Sequence, residues 1–427
     1  MRIVFATSYY PPYAVGGAEE SAFALARALR GRGHDVEVYV PLLGPLSPED
    51  PQTSPIDLGY RVERPGVPVR SRVFDRPRVQ TRFARALAAA AGSADLIHVQ
   101  TLDLLPAAWV AARRAGVPLV ASIRDLSGVC SVSVCLLEAP RVPPDCGVIK
   151  LERQCVPRFR ELYGGSAPRT GAAALVRFAT ARGRARLLRD CDAVVSVGSD
   201  LGRLYADAGL VEPRTVVHIP NIAEAPTGGQ TSGAEYGLVS GSYAVYGGKV
   251  SHGKGSAYLL AAAKKARQVE PDFVLAVAGN ATEDWQSQLQ DAEPVRYLGR
   301  LPRAELMELY RHARFAVVPS IWPEPFGRAT VEAAAAGVTA IGTRTGGIPD
   351  VVIHRETGLL VEPRDTDALC DAMVTLWRDP DWARSLGDRA KRRVIDHFSP
   401  NVVADATFGL YEEVLSRTRA SPRASAA

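Results

Sequence analysis

The sequence predicts an α/β protein built from two doubly wound domains. Its 427 residues are 47% hydrophobic and 23% charged, which is ordinary globular composition at a length that favours two domains over one. Short β-branched runs alternate with longer amphipathic stretches through the first half of the chain. The same alternation restarts after an interval that is rich in Gly, Ser and Thr.

The first domain is predicted over residues 1–221. Its strand candidates are RIVFATS, DVEVYV, DLIHVQ, VPLVASI and AVVSVG, and stretches such as AEESAFALARALRGRG have helical periodicity. Strands that are apolar almost throughout indicate a parallel, Rossmann-like sheet, because a strand covered by helices on both faces need not alternate. Residues 124–165, which contain four cysteines, are predicted to form a long loop.

Residues 222–242 are predicted to be a linker, and the second domain to span residues 243–396. Its strand candidates are YAVYGG, FVLAVAGN, VRYLG, FAVVPS, VTAIGT and GLLV. A last helix is predicted over 397–418, followed by a frayed tail at 419–427. Doubly wound domains bind ligands at the carboxyl ends of their strands, so we expect two facing domains with the site in the cleft between them.

The composition excludes several classes of protein. No stretch of about 18 apolar residues occurs, which argues against a membrane-spanning helix. The N-terminus lacks the apolar core of a signal peptide, and six cysteines are too few for a disulfide-stapled secreted scaffold. We therefore predict a cytoplasmic protein, and we expect no nucleic-acid partner.

Charge is unevenly distributed along the chain. Residues 1–221 carry 28 Lys and Arg against 21 Asp and Glu, a net +7, and the remainder carries 23 against 25, a net −2. Nine arginines lie between Arg153 and Arg189, within a helical pattern. This basic first half would suit peripheral contact with anionic lipid at the inner face of a membrane. A solvated surface helix and a general arginine bias of the genome are the alternatives.

Two glutamates in PEPFGRATVEAAAAG are the first candidate site residues. If FAVVPS is a strand and a helix begins near Gly327, Glu324 lies in the loop above the strand and Glu332 about one and a half turns into the helix. The backbone N–H groups around Phe326 and Gly327 would then form a helix N-terminus suited to an anion. The alternative is a loop charge and a solvated helix position.

Two lysines in GGKVSHGKG are the second candidate. Lys249 and Lys254 lie on a Gly-rich turn between a strand and a helix, where cations can neutralise a diphosphate as the bond to it breaks. The alternative is two solvated loop lysines. Gly16 and Gly17, between the first strand and helix, would allow a ligand to approach the backbone closely, or would serve a tight turn.

Arg124 and Asp125 follow the strand VPLVASI. Arginine cannot act as a base, but it can orient hydroxyls or an anionic acceptor and keep the carboxylate ionised. A structural ion pair between the two is the alternative. Cys130, Cys135, Cys146 and Cys155 follow in the same loop, with spacings that would allow a structural zinc site, whereas reduced buried cysteines are the simpler interpretation.

These segments together resemble one known family. EPFGRATVEAAAAG is similar to the E-x7-E signature of the retaining glycosyltransferases of family 4, which have the GT-B fold of two facing Rossmann-like domains. PPYAVGGAEE resembles their PPxxGGxE loop, GGKVSHGKG their phosphate-binding segment, and GGIPDVVIHRETGLLVEP their GGxPE…GLLV stretch. The resemblance extends from the N-terminus to about residue 396, in the family's order.

The resemblance implies a function and roles for residues. Glu332 would hydrogen-bond the ribose of a nucleotide sugar and Glu324 the hydroxyls of the sugar, while Gly16 and Gly17 would face the donor. Lys249 stands where the family usually has Arg, and Arg124 where many members have His. The last helix would return to the first domain, and no catalytic metal would be needed.

We therefore predict a retaining, metal-independent glycosyltransferase. It would move a sugar from a UDP- or GDP-linked donor to an acceptor hydroxyl, in polysaccharide or glycoconjugate biosynthesis, with Glu324, Lys254 and Arg124 as its catalytic residues. A GT-B nucleotide-sugar epimerase would share the fold but would need acid and base groups for elimination. A non-catalytic donor-binding subunit is the second alternative. The acceptor, a glycan, a lipid-linked sugar or a small metabolite, is not specified by the sequence.

Overall fold

The structure is a computed structural model that describes residues 1–11, 17–41, 61–64, 77–128, 130, 147–163, 167–223, 236–290 and 293–420. The chain divides into two compact units. The first unit contains the described residues up to Ile222 together with those from Pro400 onward, and the second unit is Ala223–Ser399.

A seven-stranded parallel sheet organises the first unit, in the order β3-β2-β1-β4-β5-β6-β7. The strands are β1 (Arg2–Ala6), β2 (Asp35–Tyr39), β3 (Val62–Glu63), β4 (Leu96–Val99), β5 (Leu119–Ile123), β6 (Ala193–Ser196) and β7 (Val216–His218). Central β1 is fixed in register on both sides, since Ile3 lies opposite Val36 of β2 and Leu96 of β4. The order reverses between β1 and β4, which is where such sheets open a ligand crevice.

The helices of the first unit follow its strands. They are α1 (Gly17–Arg30), α2 (Pro77–Ala91), α3 (Leu105–Ala115), α4 (Val148–Lys150), α5 (Val156–Tyr163), α6 (Ala167–Leu188) and α7 (Ser199–Asp207). A π-helical turn, Leu151–Cys155, joins α4 to α5. The long loop predicted to reach residue 165 is therefore helical from Val148 to Tyr163. Pro157 is the second residue of α5 and directly follows this π-helical turn.

The second unit repeats the architecture with six parallel strands in the order β10-β9-β8-β11-β12-β13. These are β8 (Ala244–Gly247), β9 (Leu275–Ala278), β10 (Val295–Gly299), β11 (Phe315–Val318), β12 (Ala340–Thr343) and β13 (Gly358–Val361). Its helices are α8 (Ser256–Val269), α9 (Glu283–Gln290), α10 (Arg303–Arg311), α11 (Arg328–Ala335), α12 (Ile348–Val351), α13 (Thr366–Arg378) and α14 (Pro380–Phe398).

Both faces of this second sheet are covered. Along β11, Phe315 and Val317 belong to one buried cluster with Trp377 of α13. Ala316 and Val318, on the opposite face, belong to another cluster with Tyr310 of α10. The predicted α/β class with two doubly wound domains is confirmed.

The last helix, α15 (Pro400–Ala420), belongs to the first unit. It was predicted over 397–418, and it begins later because α14 continues to Phe398 and the break falls at Ser399. Tyr411 and Val414 of α15 are buried in the same cluster as Phe5 of β1.

A buried polar chain also fixes α15 to the first sheet. His98 of β4 is bonded through Nδ1 to the Tyr411 hydroxyl at 2.6 Å and through Nε2 to the Ser122 hydroxyl of β5 at 2.9 Å. Burial, followed by the charge of Arg124, lowers the pKa of His98 to about 3, so the imidazole is neutral.

Residues 224–235 of the predicted linker and 421–427 of the predicted tail lie outside the described residues. Within the described part of the chain, no helix combines the length and the apolar character needed to cross a bilayer.

Candidate functional site

Two loops meet at the point where the strand order of the second unit reverses. One follows β8 and carries Lys249 and Lys254 before α8 begins. The other follows β11 and carries Glu324 before α11 begins at Arg328. Because β8 and β11 are neighbouring parallel strands, their carboxyl ends lie side by side and bring these loops together.

A buried ion pair joins the two loops. Lys254 Nζ lies 2.5 Å from Glu324 Oε1, and the Ser320 hydroxyl donates to the same oxygen at 2.5 Å. The Glu324 side chain is only 7% exposed, whereas that of Lys254 is 32% exposed. The Lys254 ammonium group is therefore partly accessible to solvent, whereas the Glu324 carboxylate is buried and bonded to Ser320.

Glycines hold the Glu324 loop in place from behind. Gly347 N–H donates to the Glu324 carbonyl at 2.7 Å. Gly346 has φ 57°, and a Cβ there would come within 2.1 Å of the Glu324 carbonyl oxygen. Gly255, after Lys254, has φ 74° and would place a Cβ 1.8 Å from the Pro319 carbonyl oxygen. The backbone approaches closely enough at both positions that only glycine fits.

Lys249 occupies a different environment from Lys254, because its side chain is exposed. The backbone of Lys249 is fixed by a hydrogen bond, since the Tyr246 hydroxyl donates to the Lys249 carbonyl at 2.7 Å. Burial and, after it, the Glu324 carboxylate raise the pKa of Tyr246 well above its usual value, so the phenol stays a donor. The loop thus has one lysine bonded to Glu324 and one lysine that extends from its surface.

Glu332 lies on α11 and is held by two arginines. Its Oε1 is 2.8 Å from Arg303 Nη1 of α10 and 2.9 Å from Arg328 Nη2, one helical turn earlier. The side chain is 14% exposed, which differs from the solvated helix position considered as the alternative. A diol at Glu332 would bind beside two guanidinium groups.

The turn into α11 has the geometry of a left-handed glycine followed by a helix N-terminus. Gly327 has φ 77°, and its carbonyl accepts from the Thr330 N–H at 2.9 Å. The Phe326 ring is buried and lies edge-on to Phe398, with centroids 5.7 Å apart. Any contact of Phe326 with a ligand would therefore come from its backbone.

The remaining candidates lie in the first unit. Gly17 is the first residue of α1, and Gly16 lies outside the described residues. Arg124 donates from Nε to the Gln100 carbonyl at 3.1 Å, from Nη2 to Gln100 Oε1 at 2.6 Å, and from Nη1 to Asn221 Oδ1. Its guanidinium is thus bonded to neutral oxygens on two other segments.

Asp125 has its own partners, which do not include Arg124. Its Oδ1 accepts from the Ser127 N–H at 2.7 Å, and its carbonyl accepts from the Tyr205 hydroxyl at 2.9 Å. Within the part of the chain that the structure describes, the side chains of Arg124 and Asp125 therefore do not form the ion pair considered as the alternative.

The cysteine cluster is only partly described. Cys130 and Cys155 are half-buried, and Cys135 and Cys146 lie outside the described residues. Among the described residues, no three His, Cys, Asp or Glu side chains are grouped as metal ligands would be. The zinc hypothesis depends on residues outside the described range.

Several residues of the site were not predicted from the sequence. Ser320 bonds Glu324, and its only signal was its place at the end of the strand pattern FAVVPS. Arg303 reaches Glu332 from a neighbouring helix, for which the sequence offered no signal. Gln100 and Asn221 were also missed, although each follows a strand of the first sheet at the edge where Arg124 lies.

Known protein families match both units. The Glycosyl transferase 4-like domain matches residues 16–221, and the Glycosyl transferases group 1 family matches residues 240–393. Glycogen synthase of Mycobacterium tuberculosis is 26% identical over 96% of this chain and 94% of its own length. Alpha-maltose-1-phosphate synthase of Mycolicibacterium smegmatis is 32% identical over 39% of this chain and 46% of its own.

Solved structures share the fold. Sucrose-phosphate synthase from Thermosynechococcus elongatus superimposes with a TM-score of 0.71 at 21% identity, covering 98% of this chain and 100% of that one. HepE from Anabaena, solved in complex with UDP, has a TM-score of 0.69 at 18% identity, with 97% and 100% coverage.

Proposed function

The chain belongs to the GT-B glycosyltransferases of the family 4 type, and we propose that it transfers a sugar from a nucleotide diphosphate sugar to an acceptor hydroxyl with retention of configuration. The observation that carries this proposal is the pairing of Lys254 with Glu324 where the second sheet reverses its strand order. A buried carboxylate, which could accept sugar hydroxyls, and a partly exposed cation lie side by side there.

The cation is placed for charge that develops as the donor breaks. When the bond from the anomeric carbon to the phosphate oxygen cleaves, the electron pair goes to the diphosphate, whose charge Lys254 and exposed Lys249 would neutralise. The acceptor oxygen bonds to the anomeric carbon on the same face, and its proton goes to the departing phosphate oxygen. We propose that the lysines supply the neutralisation that a metal provides in other transferases.

The carboxylates would orient the donor. Glu324 would accept hydrogen bonds from hydroxyls of the transferred sugar, and Glu332 from the ribose diol, since a carboxylate can accept two such bonds. At Glu332 the diol must share Oε1 with Arg303 and Arg328 or use the second oxygen.

The donor base and the product are the finer parts of the proposal. We propose UDP or GDP as the leaving nucleotide; the Anabaena structures that share this fold contain UDP and UDP-glucose. We further propose a role in polysaccharide or glycoconjugate synthesis, which the name of the mycobacterial glycogen synthase supports.

NMR of the purified protein tests this function without a known acceptor. UDP-, GDP-, dTDP- and ADP-sugars are each incubated with the protein, with and without a chelator, and slow hydrolysis of one donor to the nucleotide diphosphate is expected in both conditions. Glu324→Ala and Lys254→Ala should abolish it, and Lys264→Ala, at an exposed position on α8, should not. The first-formed anomer of the released sugar reports retention or inversion.

Other outcomes decide against the proposal. An isomerised sugar nucleotide would indicate an epimerase, and inverted product would refute retention. Binding of a donor without conversion, in the presence of a broad acceptor panel, would indicate a donor-binding subunit. Loss of hydrolysis on chelation would refute the metal-independent mechanism.

We also propose peripheral contact of the first unit with the cytoplasmic face of an anionic membrane. On two helices of the first unit, neighbouring apolar side chains are exposed together: Val148 and Ile149 of α4 are 47% and 71% exposed, and Leu175 and Val176 of α6 are 41% and 64% exposed. Exposed arginines, such as Arg153 and Arg177, accompany them, which suits anionic lipid.

Sedimentation with vesicles tests this contact. Vesicles of phosphatidylglycerol should capture the protein and vesicles of phosphatidylcholine should not, and Val176→Asp should weaken capture. Val239→Asp, at a 69% exposed position in the second unit, is the matched control. Equal capture by both lipids, or equal loss in both variants, would count against the contact.

A further inference from the structure

A second polar cluster lies in the first unit, at the carboxyl ends of three neighbouring strands. Gln100 directly follows β4 and Arg124 directly follows β5. Glu19 lies in the first turn of α1, the helix that follows β1. Because β1, β4 and β5 are adjacent in the sheet, these side chains converge where the strand order reverses.

Arg124 fixes the orientation of the Gln100 side chain. It donates from Nη2 to Gln100 Oε1 at 2.6 Å, and from Nε to the Gln100 carbonyl at 3.1 Å. Oε1 must therefore be the end of the amide that faces the guanidinium. The other end, Nε2, is buried and has no hydrogen-bond partner among the described residues.

Within the described ranges, Glu19 has a buried acceptor without a partner, which complements the buried donor of Gln100. The residue is 8% exposed, and its Oε2 is buried without a hydrogen-bond partner in the described part of the chain. Its carboxylate lies close enough to Arg124 to raise the pKa of that guanidinium, although burial lowers it overall to about 10. Arg124 is thus charged at neutral pH, and the cluster contains one cation and one carboxylate.

Two orphaned buried groups in one cluster require an explanation. Each unmade bond costs about 1–3 kcal/mol. An acidic residue in the first turn of a helix interacts favourably with the helix dipole. A solvated glutamate makes the same interaction, so the dipole does not explain why Glu19 is buried. Glu20, the next residue, is a half-buried acid in the same helical turn. The orphaned acceptor and donor are instead explained by a ligand that bonds both.

The chemistry of the cluster selects the ligand. A hydroxyl can donate to Glu19 Oε2 and accept from Gln100 Nε2. A phosphate or carboxylate could accept from Gln100, but its repulsion by Glu19 would offset its attraction to Arg124. An amine could donate to Glu19 but could not accept from Gln100, and Arg124 would repel it.

We infer that Glu19 and Gln100 form a binding site for the hydroxyl groups of a neutral sugar or polyol, with Arg124 positioning Gln100. The inference rests on the proposed function in taking this ligand to be the acceptor. It assigns Arg124 to positioning, in place of direct contact with an anionic acceptor.

Saturation-transfer difference NMR tests the site with defined probes. Methyl α-glucopyranoside, methyl α-mannopyranoside and myo-inositol are the neutral probes, and glucose 6-phosphate and mannose 6-phosphate are the anionic ones. We expect at least one neutral probe to bind about 10-fold or more tightly than the anionic probes. Glu19→Gln should weaken that binding about 10- to 100-fold, as expected for loss of a hydrogen bond to a charged group.

Two controls accompany the test. Glu20→Gln makes the same chemical change one residue away and should leave neutral-probe binding unchanged. Donor hydrolysis without acceptor, measured on the same samples, reports separately on the proposed function. If hydrolysis is absent while binding still depends on Glu19, the proposed function fails and the site remains.

The contrary results are equally definite. Failure of every neutral probe to bind, or tighter binding of the phosphorylated probes, would overturn the inference, and neither result depends on a variant folding. Equal losses in Glu19→Gln and Glu20→Gln would remove Glu19 from the site. Should Glu19→Gln not fold, Gln100→Met is expected to give the same selective loss of neutral-probe binding, and its absence would overturn the inference.

Discussion

Replacing Lys254 by Met should separate what the Lys254–Glu324 pair does for stability from what it does for transfer. Without the ammonium group, a carboxylate that is 7% exposed keeps the Ser320 hydroxyl as its side-chain partner. A buried group that loses a bond in this way costs about 1–3 kcal/mol of unfolding free energy. The single substitution should therefore lower both stability and activity.

The loss of activity has a separate magnitude. A group placed at developing charge is worth about 10²- to 10³-fold in rate, or about 2.7–4 kcal/mol. The double variant, Lys254→Met with Glu324→Gln, also replaces the buried carboxylate by a neutral amide. This removes the unpaired buried charge that destabilises the single variant, but the cation is still missing. The double variant should regain most of the stability and none of the activity.

Urea unfolding and donor hydrolysis, measured on the same samples, provide the two readouts. Lys264→Met is the matched control, since Lys264 is an exposed lysine on α8. The reasoning would be refuted if hydrolysis recovered in the double variant. It would also be refuted if Lys254→Met were no more impaired in hydrolysis than Lys264→Met.

Two further predictions concern stability. The unfolded chain protonates its histidines near pH 6.5, whereas folded His98 resists protonation down to about pH 3. Unfolding free energy should fall by about 5 kcal/mol as pH drops through this interval, and His98→Gln should flatten that part of a pH series of urea midpoints. Gly346→Ala should disrupt the Glu324 loop and abolish hydrolysis, because its Cβ would lie 2.1 Å from a carbonyl oxygen. Gly237→Ala, at φ 66° with no atom near its Cβ, should cost only the backbone strain, and a smaller effect at Gly346 than at Gly237 would contradict the packing argument.

The sequence predicted the fold and the two loops of the second-unit site because both follow from periodicity and chain order. Parallel strands joined by helices place their carboxyl ends on one edge, so chain order alone places the loops of Lys254 and Glu324 at the same edge. Their direct contact was not predicted. A 2.5 Å ion pair depends on the path of each loop, which glycines such as Gly255 and Gly346 set by backbone contact with distant residues.

Contacts between helix surfaces were less accessible to sequence reasoning. Arg303 reaches Glu332 because α10 and α11 pack with particular rotations about their axes, which periodicity does not determine. Likewise, an acid in the first turn of a helical pattern, such as Glu19, has the same sequence signature whether it is solvated or buried. Arg124 was singled out for its charge, whereas its bonds to Gln100 and Asn221 depend on the order of strands in the sheet.

The membership of α15 in the first unit has a consequence for the order in which the protein matures during synthesis. Phe5 leaves the ribosome long before Tyr411, yet both belong to one buried cluster. Ala223–Ser399 is continuous and can close its own core while the chain is still growing. The last strand of the first sheet ends at His218, in contrast, and the core of that sheet is complete only after α15, which begins at Pro400, has been made. A nascent or prematurely terminated chain that ends before Pro400 would expose His98 and its apolar neighbours, and would be a natural substrate for chaperones and proteases.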